Sequence, residues 1–535
     1  MLSGRKKRIL NYFYSRFGKN PMESAGSIRC RERLPQIRIL YDTNSEKGEE
    51  NAYAVDDVTW ADLEMDEVFL RINQTGSYIG EQVLYESVHD GNNTFFRENR
   101  DWLKVIEEDR DLMENLVLRL YPIGKRQESY YLPEFFANAG LLRPGHSWVF
   151  RVLQLFLAAS VTGAVIFRST PFYAVLALSL IINFIVYVMM KMKYDVLMSS
   201  MSGIGQVLEL NEWCMKNKKI PHSEDSDANE TLSRLRKLRK KIGVLVYTKR
   251  AGLTGDVMGL LFDYLLGITL MDVARIDGTL KMIDENRDAV TDAFTLVGRI
   301  DAAISILSFR KSLPDWSLPE FTEDKEIAAR ALYHPLISEP VSNDFMLHDR
   351  AILTGANASG KSTFMKSLAV SVLLAQTIDT ACCLSLSLPK LKVMTSMAIR
   401  DDVVSGESYY VREVRYLKRM LDELALGTTT LYVIDEILKG TNQKERLAAS
   451  EAVLKYLTKF PDFCIIATHD MELVNKLQKW YSPYYFESHI TENNVTFDYC
   501  IHPGQGGESN ALALLKAFGF PEEILRDAQE AVAEL

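Results

Sequence analysis

Two stretches in the middle of the chain lack the polar positions that interrupt apolar runs elsewhere. Residues 148–167 (WVFRVLQLFLAASVTGAVIF) and 172–190 (FYAVLALSLIINFIVYVMM) are separated only by Arg168-Ser169-Thr170-Pro171. A helix of a soluble protein ordinarily keeps a polar face, and each run approaches the roughly 20 residues that cross a bilayer's hydrocarbon as a helix. The pattern therefore predicts a transmembrane helical hairpin over 147–193, anchoring the chain to the membrane through residues 148–190. A helical hairpin buried in a soluble core is the alternative. Arg151, the one charge within the two runs, lies close enough to an end to snorkel. Gln154, Ala158, Ala159, Ser160, Gly163 and Asn183 suit contact between the helices. Arg143 and Arg151 at the start and Lys191 and Lys193 after the end predict that both flanks, and so both soluble parts, are cytoplasmic, with Arg168 diluting the bias. A hairpin this small is an anchor and not a transport pathway.

On either side the apolar positions recur every three or four residues. From Val55 the text VDDVTWADLEMDEVFLRINQTGSYIGEQVLYESV has this period, and GQVLELNEWCMK, ETLSRLRKLRKKIGVLVY and the run from Asp256 to Phe309 continue it. These segments predict an all-α core and lever region over 51–146 and 194–329, divided by the hairpin, with KNKKIPHSEDSDANE as a loop. Residues 1–50 form a variable, charged segment whose opening, MLSGRKKRILNYFYSRFGKN, lacks the continuous apolar core of a secretory signal. It reads as a poorly ordered terminus, with a segment lying on an anionic membrane surface as the alternative. Over 330–535 short apolar strands alternate with helices, which predicts an α/β domain built on a mostly parallel sheet with flanking helices.

Composition refines this picture only slightly. At 535 residues the chain exceeds one hydrophobic core, so two or three domains are expected. A net charge of -9 argues against a surface built throughout for nucleic acid. The basic cluster Arg234, Arg236, Lys237, Arg239, Lys240 and Lys241 reads as a solvated helix side, or one facing acidic headgroups, before a phosphate-contacting face. The six cysteines are scattered without metal-ligand spacing, as expected for buried, reduced thiols.

The chemistry follows residue 335. The strand Ala351–Thr354 leads into Gly355-Ala356-Asn357-Ala358-Ser359-Gly360-Lys361-Ser362-Thr363 and a helix. This is G-x-x-x-x-G-K-[ST] in strand-loop-helix context, whose backbone N–H groups cradle phosphates at a helix N-terminus. Lys361 is placed to reach the β- and γ-phosphates of ATP, and Ser362 to ligate Mg²⁺. A second apolar strand ends in Asp435-Glu436: the aspartate suits Mg²⁺, and the glutamate suits polarising the attacking water. A third ends in His469, placed as a γ-phosphate sensor. Between the first two, Ser405-Gly406-Glu407-Ser408 opens a helix and offers donors to an anion. This order is that of an ABC-type P-loop ATPase, in which Ser408 acts in trans on a nucleotide held by a partner subunit. The predicted assembly is a homodimer sandwiching two nucleotides. The catalytic set is Lys361, Glu436 and His469; the cofactor-binding set is Gly355, Asn357, Gly360, Lys361, Ser362, Thr363 and Ser408; the metal ligands are Ser362 and Asp435.

TGANASGKSTFMK, SGESYYVRE, IDEILKGTN and ATHDMEL together resemble the nucleotide-site motifs of the MutS family. Gly406, Ser408 and Glu413 fall on the family's signature segment, and Asp435, Glu436, Gly440 and Thr441 on its DEIGRGTS. Tyr333-His334-Pro335 with Asn343-Asp344 is similar to its RHP…ND lead-in. The resemblance is close over 330–535 and loose over 55–145. Ala356, Ser359 and Tyr409 depart from the family's Pro, Gly and Thr, and Val341 lies near where an aromatic often meets adenine. Residues 1–50 are too short for a mismatch-reading domain with a Phe-x-Glu wedge, and the hairpin is foreign to soluble repair proteins.

The resemblance implies an ATPase whose dimerisation moves long helices. One expectation is a membrane-anchored DNA-binding clamp linked to mismatch repair or other DNA maintenance. The other is an ATP-driven switch acting on an unidentified protein or envelope partner without DNA. One hairpin per chain is too little for an ABC transporter.

Overall fold

The computed structural model describes residues 4–23, 25–45, 51–144, 147–220, 228–253, 267–356, 358–397, 409–491, 494–506, 515 and 519–533. A helical region precedes a mixed α/β domain, and the two share one continuous apolar core.

From Gly4 onward the chain is ordered where a poorly ordered terminus was expected. A helix runs from Gly4 to Arg16, and its Ile9 and Leu10 are buried in the main core. The Tyr14 hydroxyl donates to Glu114 at 3.1 Å. The apolar positions at 9, 10, 13 and 17 lie on one helical face despite the surrounding charge, which supplies the docking.

The centre of the helical region is the helix Tyr78–His89, packed against the long helix Arg287–Ser312. Ser77 caps the former, its Oγ accepting from the N–H of Gly80 at 3.1 Å. The caps are fastened across the chain: Asp301 accepts from the N–H groups of Gly76 and Ser77, both at 2.8 Å. Gly80 is required there, because an added Cβ would lie 2.3 Å from Asp301 Oδ2.

The two apolar runs form helices Ser147–Phe167 and Thr170–Lys216. The turn is shorter than the four residues anticipated, since Thr170 and Pro171 already belong to the second helix, where a first-turn proline forfeits no hydrogen bond. That helix continues past the apolar run for 47 residues in all, so hairpin and helical core share one rigid element. Trp148–Phe167 and Thr170–Tyr194 are long and apolar enough to cross a membrane, with mean hydropathies of 1.9 and 2.3. Leu155, Ile166, Leu178 and Ile181 are exposed, so the other described residues leave this apolar surface uncovered. Near one end the hairpin receives backbone: Asn183 Nδ2 donates to Ile268 O at 2.8 Å and Gln154 Nε2 to Thr269 O at 3.0 Å. The polar residues expected to join the two helices to each other thus hold a third segment instead.

The basic cluster lies on the helix Ala228–Leu253 and is partly neutralised there. Arg236 and Arg239 pair with Glu212 at 2.9 and 3.3 Å, and Lys241 donates to Gly278 O at 2.6 Å.

In the α/β domain the strands, numbered along the chain, are β1 (Glu320–Phe321), β2 (Ile327–Leu332), β3 (Asn343–Leu347), β4 (Arg350–Thr354), β5 (Ser385–Leu388), β6 (Lys392–Ser396), β7 (Thr430–Asp435), β8 (Phe463–Ala467), β9 (Ser482–Thr491) and β10 (Asn494–Pro503). The larger sheet has order β10-β9-β4-β8-β7-β6, parallel except for the β10–β9 edge. The smaller has order β1-β5-β2-β3. Strands β4, β7 and β8 read as unbroken apolar runs because both faces are covered. The helix Lys361–Ile378 is buried along nearly its whole length, between sheet and helical region. Each of Phe364, Leu368, Leu373 and Ile378 there contributes about 1.5–3 kcal/mol by leaving water. Its C-cap, Asp379, accepts from Arg100 Nε and Nη2 at 2.7 Å each, while Arg310 donates to its carbonyl at 2.8 Å. These bonds fix the helical region to the end of the helix that begins at Lys361. Of the six cysteines, none is paired and only Cys500 is not buried.

Candidate functional site

Open parallel sheets gather ligands at the carboxyl ends of their strands. A cavity of about 510 Å³ lies there, lined by the turn after β4, the ends of β7 and β8, and residues 332–343. The turn needs unusual backbone: Gly355 has φ +137° and Gly360 φ +106°, values open to glycine. A Cβ on Gly355 would lie 2.9 Å from Phe486 O, so space as well as φ excludes a side chain.

Lys361 begins the helix and is buried, its Nζ donating to the carbonyls of Gly355 at 2.7 Å and Ala356 at 2.8 Å. Burial lowers its pKa, and Asp435 and Glu436 oppose that effect. Ser362 Oγ donates to Asp435 Oδ2 at 2.5 Å, so residues 73 positions apart meet at one point. Two oxygens in that arrangement match a hard divalent cation such as Mg²⁺.

Glu436 follows the last residue of β7 with φ +55°, uncommon for a non-glycine residue and typical of functional turns. Its Oε1 meets His469 Nε2 at 3.0 Å and its Oε2 meets Lys439 Nζ at 3.2 Å. The hydrogen bond from His469, against the cost of burial and with help from Lys439, brings its pKa down to about 2. Glu436 is thus an ionised carboxylate at neutral pH, oriented from both sides.

The loop bearing Glu436 is held by a residue the sequence offered only as a motif match. Glu413, buried on the helix Tyr409–Glu423, accepts from the backbone N–H groups of Lys439 at 2.9 Å and Gly440 at 3.0 Å. Asn343, half of the Asn-Asp pair, donates to Tyr499 O at 3.1 Å and accepts from the N–H of Ile501 at 2.8 Å. It thereby fixes a bulge between Phe497 and Ile501, in which Tyr499 adopts φ +56°.

That bulge brings in a residue sequence reasoning missed. Tyr499 lines the cavity, and its ring lies 3.2 Å from where a Gly360 Cβ would stand. It supplies an aromatic wall on the cavity that Val341 also lines. Only the bulge turns Tyr499 inward, and no local sequence signal marks a bulge.

Gly360, Lys361, Ser362, Thr363, Asp435, Glu436 and His469 all line this one cavity. Gly355 does not, but its carbonyl holds Lys361. Asn357 and Ser408 lie outside the described residues. Among the described residues the buried Ser359 Oγ and His334 Nε2 have no hydrogen-bond partner, leaving polar capacity at the cavity wall. A glycine-built cradle, a buried lysine and a Ser–Asp oxygen pair fit ATP with Mg²⁺.

Residues 351–535 match the family model for MutS domain V. The domain that holds the site is thus similar to MutS domain V. It is 28% identical over 259 residues to a DNA mismatch repair protein MutS of Aquifex pyrophilus, covering 46% of this chain and 30% of that protein. It is 30% identical over 188 residues to a DNA mismatch repair protein MutS 2 of Haloarcula marismortui, covering 34% and 20% respectively. The human MutS protein homolog 4 is 26% identical over 276 residues, 48% of this chain and 29% of the homolog. The chain thus spans less than a third of the length of these curated relatives. Outside the matched domain, the hairpin helices and the amino-terminal helices are described by this structure's own packing.

Proposed function

We propose that the α/β domain binds ATP with Mg²⁺ and hydrolyses it, and that the chain is a membrane-anchored, ATP-gated dimer. The observation that carries the reading is the convergence of Lys361, the Ser362–Asp435 pair and the Glu436–His469 pair on one cavity. The match of residues 351–535 to MutS domain V supports an ATPase.

In the proposed mechanism, the backbone after β4 and Lys361 bind the phosphates, and Lys361 exchanges its bonds to Gly355 and Ala356 for phosphate oxygens. Ser362 and Asp435 would hold Mg²⁺, which would supply neutralisation of charge on the phosphates. Glu436, ionised, accepts a hydrogen bond from water and orients it for attack. His469 and Lys439 hold the carboxylate in place, and Tyr499 gives the base a face to stack on. Ser408 of a second copy completes the site in a homodimer.

The hairpin anchors the chain with both flanks cytoplasmic; the exposed apolar faces of its helices support this reading over a hairpin buried in a soluble core. A DNA-binding clamp linked to mismatch repair is the first reading of its task, supported by the DNA mismatch repair relatives. A switch acting on a protein or envelope partner is the second, favoured by the ion pairs that occupy Arg236 and Arg239.

The test is ATP hydrolysis by the full chain in nanodiscs, with duplex, mismatched and branched DNA over a salt series. Glu436→Gln serves as the hydrolysis control. Turnover that disappears in Glu436→Gln and responds to DNA supports the clamp; the same loss without a DNA response supports the switch. Undiminished turnover in Glu436→Gln would refute the site.

A further inference from the structure

A second cavity, of about 420 Å³, lies in the helical region, between the amino-terminal helices and the turn that precedes Tyr78. Its volume falls in the range of small-molecule sites, roughly 300–1,000 Å³. Its charges are unbalanced: Arg16, Arg29, Arg33 and Lys125 line it against only two acids, Glu81 and Asp301.

Both acids are fully buried and already engaged. Glu81 Oε1 accepts from Lys125 at 2.7 Å, Arg33 at 3.1 Å and Asn73 at 3.1 Å, and its Oε2 accepts from the Tyr130 hydroxyl. Asp301 is taken up by the N–H groups of Gly76 and Ser77 and by the Ser77 hydroxyl. Two cations converge on one carboxylate, and two more stand nearer the surface, so the wall presents net positive charge. Within it, Arg33 Nε is buried and has no hydrogen-bond partner among the described residues. A buried guanidinium donor without a partner is unfavourable, and an anionic oxygen from a ligand would satisfy it.

The mouth is aromatic. Tyr12 and Tyr121 are 51% and 44% exposed, with ring centroids 6.2 Å apart, and Phe13 lies beside them. Such rings offer a planar ligand a stacking surface, and Asn73, Gln74 and Thr75 add hydrogen-bonding groups on the wall. We propose that this cavity is a second ligand site, distinct from the one at Lys361, for a nucleoside phosphate whose ring stacks on Tyr12 or Tyr121 and whose phosphate meets Arg16, Arg29 and Arg33. The site is joined to the α/β domain, because Asp301 and Arg310, which holds the carbonyl of Asp379, share one helix.

The experiment is equilibrium dialysis of radiolabelled AMP and GMP, with inorganic phosphate as a third probe, against the full chain in nanodiscs. Wild type, Lys361→Ala, and Lys361→Ala combined with Arg16→Glu and Arg29→Glu are compared. Arg16 and Arg29 do not contact Glu81, so the charge reversals leave the buried cluster intact; circular dichroism checks the fold. Lys361→Ala is expected to retain one nucleotide per chain, and the added reversals to weaken it at least tenfold. Phosphate alone is expected to bind at least tenfold more weakly than the nucleotides. Loss of all nucleotide binding in Lys361→Ala would overturn the second site while leaving the first intact. Retained binding that ignores the reversals would overturn the placement, and equal affinity for phosphate would overturn the stacked ring. The first site is judged separately, by whether Lys361→Ala abolishes ATP hydrolysis.

Discussion

Replacing Glu413 by alanine separates the positioning of the catalytic loop from its chemistry. The carboxylate touches no cavity-lining side chain in the cavity's catalytic cluster; it accepts from two backbone N–H groups, of Lys439 and Gly440, in the loop that carries Glu436. Hydrogen bonds to a charged acceptor are worth about 1.5–3 kcal/mol each, and orphaning two buried donors adds a desolvation cost. Part of this is recovered when water enters the vacated space, so the expected destabilisation of the α/β domain is about 2–4 kcal/mol. The larger consequence is kinetic. Freed of its anchor, the loop shifts, and a displacement near 1 Å at a reacting group costs about a hundredfold in rate. ATP affinity rests mainly on Lys361 and the backbone after β4, which Glu413 does not hold. The measurement is steady-state phosphate release alongside binding of a fluorescent ATP analogue. Turnover is expected to fall by about 30- to 300-fold while affinity changes less than about threefold. Glu413→Gln, which keeps one acceptor oxygen, should fall between wild type and alanine. Wild-type turnover in a folded Glu413→Ala protein would refute the positioning argument; loss of affinity equal to the loss of turnover would show that the loop also builds the binding site.

Tyr499→Ala is expected to weaken ATP binding by about 1–2 kcal/mol through loss of the aromatic wall, and Tyr499→Phe to restore it, read by the same fluorescent analogue. Asp379→Ala leaves Arg310 and Arg100 without their carboxylate, so a loss of about 3–5 kcal/mol is expected in urea unfolding; a change under 1 kcal/mol would show that the junction is not held there. Burial pushes the pKa of His89, stacked on Trp60 at 3.5 Å, down to about 3, and that of His334 down to about 4. Below pH 6.5 the unfolded chain binds protons that these folded imidazoles refuse, so stability falls as pH drops from about 6.5 towards 4, by up to about 1.4 kcal/mol per pH unit for each histidine. His89→Phe should flatten that slope between pH 6.5 and 4.5, and an unchanged slope would remove His89 from the account.

The sequence by itself determined the pieces whose signal is local. Strands β4, β7 and β8 announce themselves as short apolar runs, because burial on both faces leaves no alternation. The loop from Gly355 to Thr363 is legible because phosphate-cradling backbone demands glycines at set spacing. The hairpin helices are legible because a helix with no polar side is written into twenty consecutive positions. The tertiary structure decided everything that depends on which distant backbone arrives where. Asp435 meets Ser362 because β7 and β4 flank β8 in the sheet, an order no local pattern encodes. Tyr499 faces the cavity because a bulge, pinned by Asn343, reverses the face a regular strand would give it. Asn183 and Gln154 hold the backbone of Ile268 and Thr269, although their positions suggested contact between the hairpin helices themselves. The amino-terminal helix docks through a few apolar residues among many charges, and only the surface waiting for them makes those residues sufficient. In each case the deciding interaction is a hydrogen bond or a contact across a long loop, and its free energy exists only once the sheet and the long helices have brought the partners together.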